Sequence, residues 1–248
     1  MAYDKKKVTE IALAEVGYEE KETNSNLDSK TGNSGDENYT KYARDLAKEK
    51  FFNASKQGHA WCATFVAWIF YKAFGKSAAL KLLCQPSKGN CGAGCKWVRE
   101  YFLNKKQWHE SNPKEGDVIV FYNATKDNYA HTGYVYKVDK TYVYTVEGNT
   151  SGASGVVDNG GMVTKKKYRL NYSRIAGYGR PEYGTVEVVS QPNAEVSSEV
   201  YIVQRGDTLW GIAKKHYGRG SKYHDIMREN GLETTVIRPG MKLKITKA

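Results

Sequence analysis

A thiol, an imidazole and a carboxylate stand out in this sequence because each sits at the end of a recognisable element. Cys62 lies in HAWCATFVAWIFYKAFG, directly after Trp61 and at the head of a strongly apolar run of helical length. His131 opens the strand-like AHTGYVYKVD, and Glu147 closes YTVEGNTSG. A helix N-terminus favours a thiolate, because its free N–H groups and dipole stabilise negative charge. The same amides can receive the oxyanion of a tetrahedral intermediate. An imidazole beside the sulfur acts as general base and then as acid toward a departing amine. A carboxylate behind the imidazole orients it and stabilises its cation. Asn149, two residues past Glu147, adds a polar group at the same strand end. Alone, Cys62 would read as a buried thiol on an apolar helix. The ordered set reads as nucleophilic amide hydrolysis.

The rivals are few. His59, three residues before Cys62, is the alternative base; His109, His216 and His224 read as surface or packing histidines. Cys84, Cys91 and Cys95 fall in LCQPSKGNCGAGC, an odd set without paired CxxC knuckles, so they read as small thiols in a loop rather than zinc ligands. Asp28, Asn33, Asp36 and Asn38 lie in a polar stretch, but their spacing does not fit an EF-hand loop. No metal and no cofactor is expected.

The elements that must carry these groups follow from periodicity. Residues 7–17 make a short amphipathic helix that stops at Gly17, and EEKETNSNLDSKTGNSGDENYTKY reads as a surface loop. Apolar positions at helical spacing run through residues 60–74, with Gly75 as the stop, and a second helix covers Gly94 to Leu103. Then the texture changes to short Val- and Tyr-rich strands: GDVIVFYN, HTGYVYKVD, TYVYTVEGN, GMVTKKKYRL and RIAGYGRP. Helices first and an antiparallel sheet afterwards is an α+β pattern. A hairpin between the second and third strands would bring Glu147 beside His131.

Residues 182–199 lose periodicity and gain Pro, Ser and Glu, which reads as a linker between a domain at 1–181 and a module at 200–248. The module repeats a miniature order: a strand at Tyr201 to Gln204, a helix capped by Asp207 or Thr208, a second helix from about Lys222 to Asn230, and a closing strand in RPGMKLKI. Formal net charge is +11. Both domains are basic, and the connector carries four glutamates and no basic residue. Such surfaces suit anionic polymers, and no nucleic-acid motif accompanies the charge, so nucleic acid is not an expected partner. Mean hydropathy is −0.66, and the lack of a long apolar run excludes a membrane helix and any insertion by one. The amino-terminal MAYDKKKVTEIALAEVGY has no apolar signal core, so the expectation is synthesis in the cytoplasm and action outside after release.

HAWCATFVAWIF, KEGDVIVFY, AHTGYV and VEGN, in this order, resemble the CHAP (cysteine, histidine-dependent amidohydrolase/peptidase) domains of phage endolysins and bacterial wall hydrolases over about residues 1–180. The resemblance implies papain-like helices packed on an antiparallel sheet, with Cys62, His131, Glu147 and Asn149 catalytic, the last two through the family's Glu-x-Asn motif. Some relatives hold calcium in an aspartate-rich loop ahead of the cysteine, which this sequence does not clearly match. YIVQRGDTLWGIAKKHYG and VIRPGMKLKI are similar to LysM, a βααβ module that binds N-acetylglucosamine-containing glycans. By position, that resemblance implies a glycan groove between Gly206, Asp207, Thr208 and Leu209 on one side and Asn230, Val236 and Ile237 on the other; the alternative for Leu209 and Ile237 is core packing, and Ile212 reads as core. Together they imply a monomeric phage or prophage endolysin cutting an N-acetylmuramoyl-L-alanine amide or a peptide bond of peptidoglycan. The alternatives are a bacterial autolysin of the same chemistry and a wall-binding or spore-coat protein without activity.

Overall fold

The computed structural model describes residues 2–86, 91–184, 198–232 and 234–246. The chain separates into two compact units, Met1–Val186 and Glu187–Ala248. Most of the expected linker, residues 185–197, lies outside the described residues.

The first unit is mixed helix and antiparallel sheet, as the sequence pattern implies. Its helices are α1 (Lys5–Ala14), α2 (Lys41–Lys48), α3 (Cys62–Phe74), α4 (Lys76–Leu82) and α5 (Cys95–Asn104). The strands are β1 (Trp108–His109), β2 (Val118–Asn123), β3 (Asn128–Val138), β4 (Tyr142–Thr150), β5 (Met162–Arg169) and β6 (Ile175–Gly179). They form one six-stranded sheet in the order β1-β6-β2-β3-β4-β5.

Helix α3 is apolar on nearly every side because it is nearly enclosed: Cys62 through Phe70 are all buried. Each fully buried Phe, Ile or Val contributes about 1.5–3 kcal/mol of transfer free energy, so this helix anchors the domain. It packs on α1, α2, β3 and β4, which ties the N-terminus carrying Cys62 to the strands carrying His131 and Glu147.

Helix α2 falls partly within a stretch that composition reads as loop. Thr40 caps it by accepting from the Ala43 amide at 3.1 Å. Tyr42, Ala43 and Leu46 face the core, and the Tyr42 ring lies against Trp61, Phe65 and Trp68. One turn of apolar spacing inside a polar context is too short to see in sequence, and tertiary packing supplies its stability.

One close approach fixes the register of helix against sheet. A Cβ on Gly148 would stand 2.6 Å from Trp61 Cζ3 and 2.7 Å from Phe65 Cβ. Gly148→Ala therefore forces β4 away from α3, with an expected cost of about 1–3 kcal/mol from overpacking. Gly152→Ala, where nothing lies within 4 Å, is the control and stays within about 0.5 kcal/mol. Urea unfolding of the full chain reads both.

The second unit pairs β7 (Ser198–Ile202) with β8 (Lys242–Thr246) antiparallel, and carries α6 (Leu209–Tyr217), a 3₁₀ turn at Gly220–Lys222 and α7 (Tyr223–Glu229). Its small core holds Val203, Leu209, Ile212, Ala213, Ile226, Leu243 and Ile245. No helix among the described residues is long and apolar enough to cross a membrane.

Candidate active site

Cys62 is the first residue of α3, and the preceding Trp61 makes no side-chain cap hydrogen bond. The amides of the first turn are left free for a charge at the sulfur. Trp61 is held instead through its indole, which donates to Glu20 Oε2 at 2.6 Å. Burial pushes the Glu20 carboxyl up, against that hydrogen bond.

His131 lies in β3, opposite Phe121 of β2, and their rings stack with centroids 6.1 Å apart. The strand begins at Asn128, so His131 is its fourth residue rather than its head. Imidazole Nε2 lies 3.1 Å from Glu147 Oε2, and both side chains are fully buried. Glu147 is fixed in turn by the Thr145 hydroxyl, which donates to Oε1 at 2.5 Å, and by the Tyr168 hydroxyl, which donates to Oε2 at 3.1 Å. Nothing larger than glycine fits at 133, where a Cβ would approach Glu147 Cγ to 2.5 Å. The hairpin thus brings together the imidazole and carboxylate that the sequence reading pairs.

The electrostatics follow from this burial. The hydrogen bond from Cys95 holds the Cys62 thiol well below its ordinary range, burial opposes it, and His131 and the Ala63 amide add to the lowering. For His131, burial alone would depress the imidazole, but the Cys62 and Glu147 partners outweigh it and push it up to about 10. Both directions favour a thiolate–imidazolium pair at neutral pH. Glu147 takes ring nitrogen Nε2, which leaves Nδ1 for proton transfer.

Asn149 follows in the left-handed region, at φ 56°. It is fully buried, and neither its amide oxygen nor its amide nitrogen has a hydrogen-bond partner. An unpaired buried amide costs about 1–3 kcal/mol, and Asn149 carries that cost two residues past Glu147.

Cys95 is the residue that sequence reasoning missed. It opens α5, and its Sγ lies 3.5 Å from Cys62 Sγ. An odd trio of cysteines in a glycine-rich loop carries no signal of this approach. The other two stay apart: Cys84 contacts Gln107 Oε1 at 2.8 Å, and burial raises Cys84 to about 12 and Cys91 to about 11. His59 is exposed, unlike the buried Cys62, His131 and Glu147.

The acidic residues of the early loop are arranged differently from the group named from sequence. Asp28 is engaged by Arg44 in a two-pronged pair at 2.7 and 2.8 Å, and Asn33 donates to Thr23 and Ser25. Glu22, Asp36 and Glu37 gather instead, all exposed, which by itself assigns no ion.

In the second unit, Gly206 turns the chain at φ 90°, where a side chain would be strained. Asp207 accepts from the Gln204 amide and the Tyr201 hydroxyl, both at 2.7 Å. Thr208 caps α6 through the Gly211 amide at 3.0 Å. Val236 is 68% exposed, and Ile237 packs partly on the core. Two of the residues named for a groove are engaged within the module itself. Leu209 is buried in the core. Asn230 is consumed in joining α7 to β8, accepting from the Lys244 amide at 2.7 Å and donating to the Lys244 carbonyl at 2.9 Å. Trp210, beside Leu209, is the exposed aromatic group at this end, and a Cβ on Gly220 would meet its ring.

Comparison with known proteins adds family relations to this geometry. Residues 54–149 match the CHAP domain model and residues 201–246 match the LysM domain model. The N-acetylmuramoyl-L-alanine amidase sle1 of Staphylococcus aureus (strain MRSA252) is 47% identical over 58 residues, 23% of this chain and 16% of that protein. Its counterpart from Staphylococcus epidermidis (strain ATCC 12228) is 42% identical over 57 residues, 23% of this chain and 17% of that protein. The chain thus spans about a sixth of the length of the curated relatives it matches. The crystal structure of Ly7917 aligns with 80% of this chain and 65% of its own at 12% identity and a TM-score of 0.43, a likeness too slight to carry an argument.

Proposed function

We propose, on the premise that this chain joins a CHAP domain to a LysM domain, that it is a peptidoglycan hydrolase cleaving an amide bond by cysteine chemistry. The observation that carries the proposal is the buried His131–Glu147 pair, with a Cys62 thiol that Cys95 first and His131 after it hold toward thiolate. In this reading the Cys62 thiolate attacks the amide carbonyl carbon, and the oxyanion forms against the free amides at the start of α3. His131 gives its proton to the leaving nitrogen, which departs as an amine and leaves a thioester on Cys62. Water, losing a proton to His131, then attacks the thioester; the acid is released and the thiolate restored. Glu147 keeps the ring oriented and its cation stabilised. Asn149 supplies a polar contact at the same edge.

The names of the matched relatives favour the N-acetylmuramoyl-L-alanine amide as the bond cut. Mass spectrometry of digested peptidoglycan tests this: an amidase frees intact stem peptides from glycan chains, whereas an endopeptidase leaves the peptides attached and opens the cross-links. Release of neither kind of product by the full chain would overturn the hydrolase reading in favour of a wall-binding protein. A role as an endolysin, acting on the wall from inside an infected cell, remains part of the proposal and rests on the sequence resemblance.

The module at 200–248 is proposed as a separately folding glycan binder that raises the enzyme's local concentration at the wall. Calorimetry of that isolated fragment with chitooligosaccharides should show affinity rising with chain length, because a shallow surface gathers contacts from successive sugars. Salt should weaken binding only in part, since sugar contacts are uncharged. Absence of binding to every oligomer would reduce the module to a basic adhesive.

A further inference from the structure

We propose that Cys62 and Cys95 are a redox pair that closes to a disulfide under mild oxidation, masking the nucleophile, and that a dithiol reopens it. The pairing rests on the two sulfur positions; its effect on activity rests on the reading of Cys62 as nucleophile.

The sulfurs approach to 3.5 Å while both cysteines remain free. A disulfide requires about 2.05 Å, so the two sulfurs already lie close and a further approach of the side chains closes the gap. Each thiol is the first residue of its own helix, and each is largely buried, Cys62 at 4% exposure and Cys95 at 8%. The two groups are also chemically unlike. Cys62 is held toward thiolate, while hydrogen bonding to Cys62, followed by burial, raises Cys95 well above an ordinary thiol. A low-pKa thiol with a resolving thiol next to it is the arrangement that oxidises reversibly. At Cys84 and Cys91 burial outweighs every other influence and raises the thiol, so neither is held toward thiolate.

The oxidant is a peroxide. The Cys62 thiolate attacks one oxygen of hydrogen peroxide, the O–O bond breaks, and the departing hydroxide takes a proton to become water, leaving Cys62 as a sulfenic acid. Cys95 then loses its proton and attacks the sulfenic sulfur, the S–O bond breaks, and a second water leaves. Two thiols have lost two electrons, and one peroxide has become two waters. A dithiol reverses the step by exchange.

The full chain tests this with hydrogen peroxide as the probe. Peroxide treatment should give a product lighter by two hydrogens, a linked Cys62–Cys95 peptide after digestion, and lysis reduced by about 100-fold or more, as for loss of a nucleophile. Dithiothreitol should restore both mass and lysis. In Cys95→Ser and Cys95→Ala, each checked for folding by its unfolding transition, oxidation should pass on to sulfinic acid, and dithiothreitol should no longer recover activity. Absence of the linked peptide, with Cys62 still open to iodoacetamide and lysis still lost on alkylation, overturns the pairing and leaves the nucleophile reading intact. A linked peptide with lysis unchanged supports the pairing and removes Cys62 from the chemistry.

Discussion

Replacing Cys62 by alanine is expected to lower lysis of peptidoglycan by at least about 1,000-fold, because it removes the group that forms the covalent intermediate and the neighbouring Cys95 thiol is raised rather than held toward thiolate. The loss should be chemical rather than structural. Alanine fits the α3 start, the core residues Phe65 to Phe70 are untouched, and unfolding in urea should remain close to wild type. Binding to peptidoglycan should also persist, since the LysM domain at 201–246 is separate from Cys62. A parallel labelling experiment checks the same point without mutation. At neutral pH iodoacetamide should modify Cys62 ahead of Cys84 and Cys91, whose thiols burial raises to about 12 and about 11. Residual lysis above about one per cent of wild type would place the nucleophile elsewhere.

The second large effect concerns His131. His131→Ala should be as damaging as Cys62→Ala, and the double variant should resemble either single one, because residues acting as a unit are non-additive. His59→Ala should leave lysis nearly unchanged, since that side chain is exposed; an inactive His59→Ala with an active His131→Ala would reverse the assignment of the base. The pH profile supplies the finer test. The active thiolate–imidazolium pair forms as pH rises through the lowered value of Cys62. It is lost as His131 gives up its proton near pH 10, the position to which its partners raise it against burial. The rate at limiting substrate should therefore be flat through neutrality and fall on an alkaline limb near pH 10. Glu147→Gln removes a carboxylate that holds the imidazolium, so its alkaline limb should move to lower pH. A limb unmoved by that change would mean that Glu147 does not stabilise the cation.

Much of this molecule was legible in the amino-acid sequence, and for identifiable reasons. The apolar run after Cys62, the alternating Val and Tyr strands and the punctuating glycines are local signals, so α3 and strands β2 to β6 fall within a few residues of where periodicity puts them. The order thiol, imidazole, carboxylate is likewise written along the chain, and one antiparallel hairpin is enough to bring His131 to Glu147. Helix α2 was hidden because a single turn's apolar spacing is stabilised by the Tyr42 contacts rather than by its own sequence. The LysM pattern located the module, but it could not separate Leu209, which completes the core, from exposed Trp210 beside it, because only packing tells which face of α6 turns inward. The meeting of Cys95 with Cys62 depended on where α5 docks, a matter of side-chain fit between segments 33 residues apart. Spacing along the chain holds no trace of it. Periodicity and order thus set which elements form and which groups they carry; the distances that tune the thiol arise only when those elements pack.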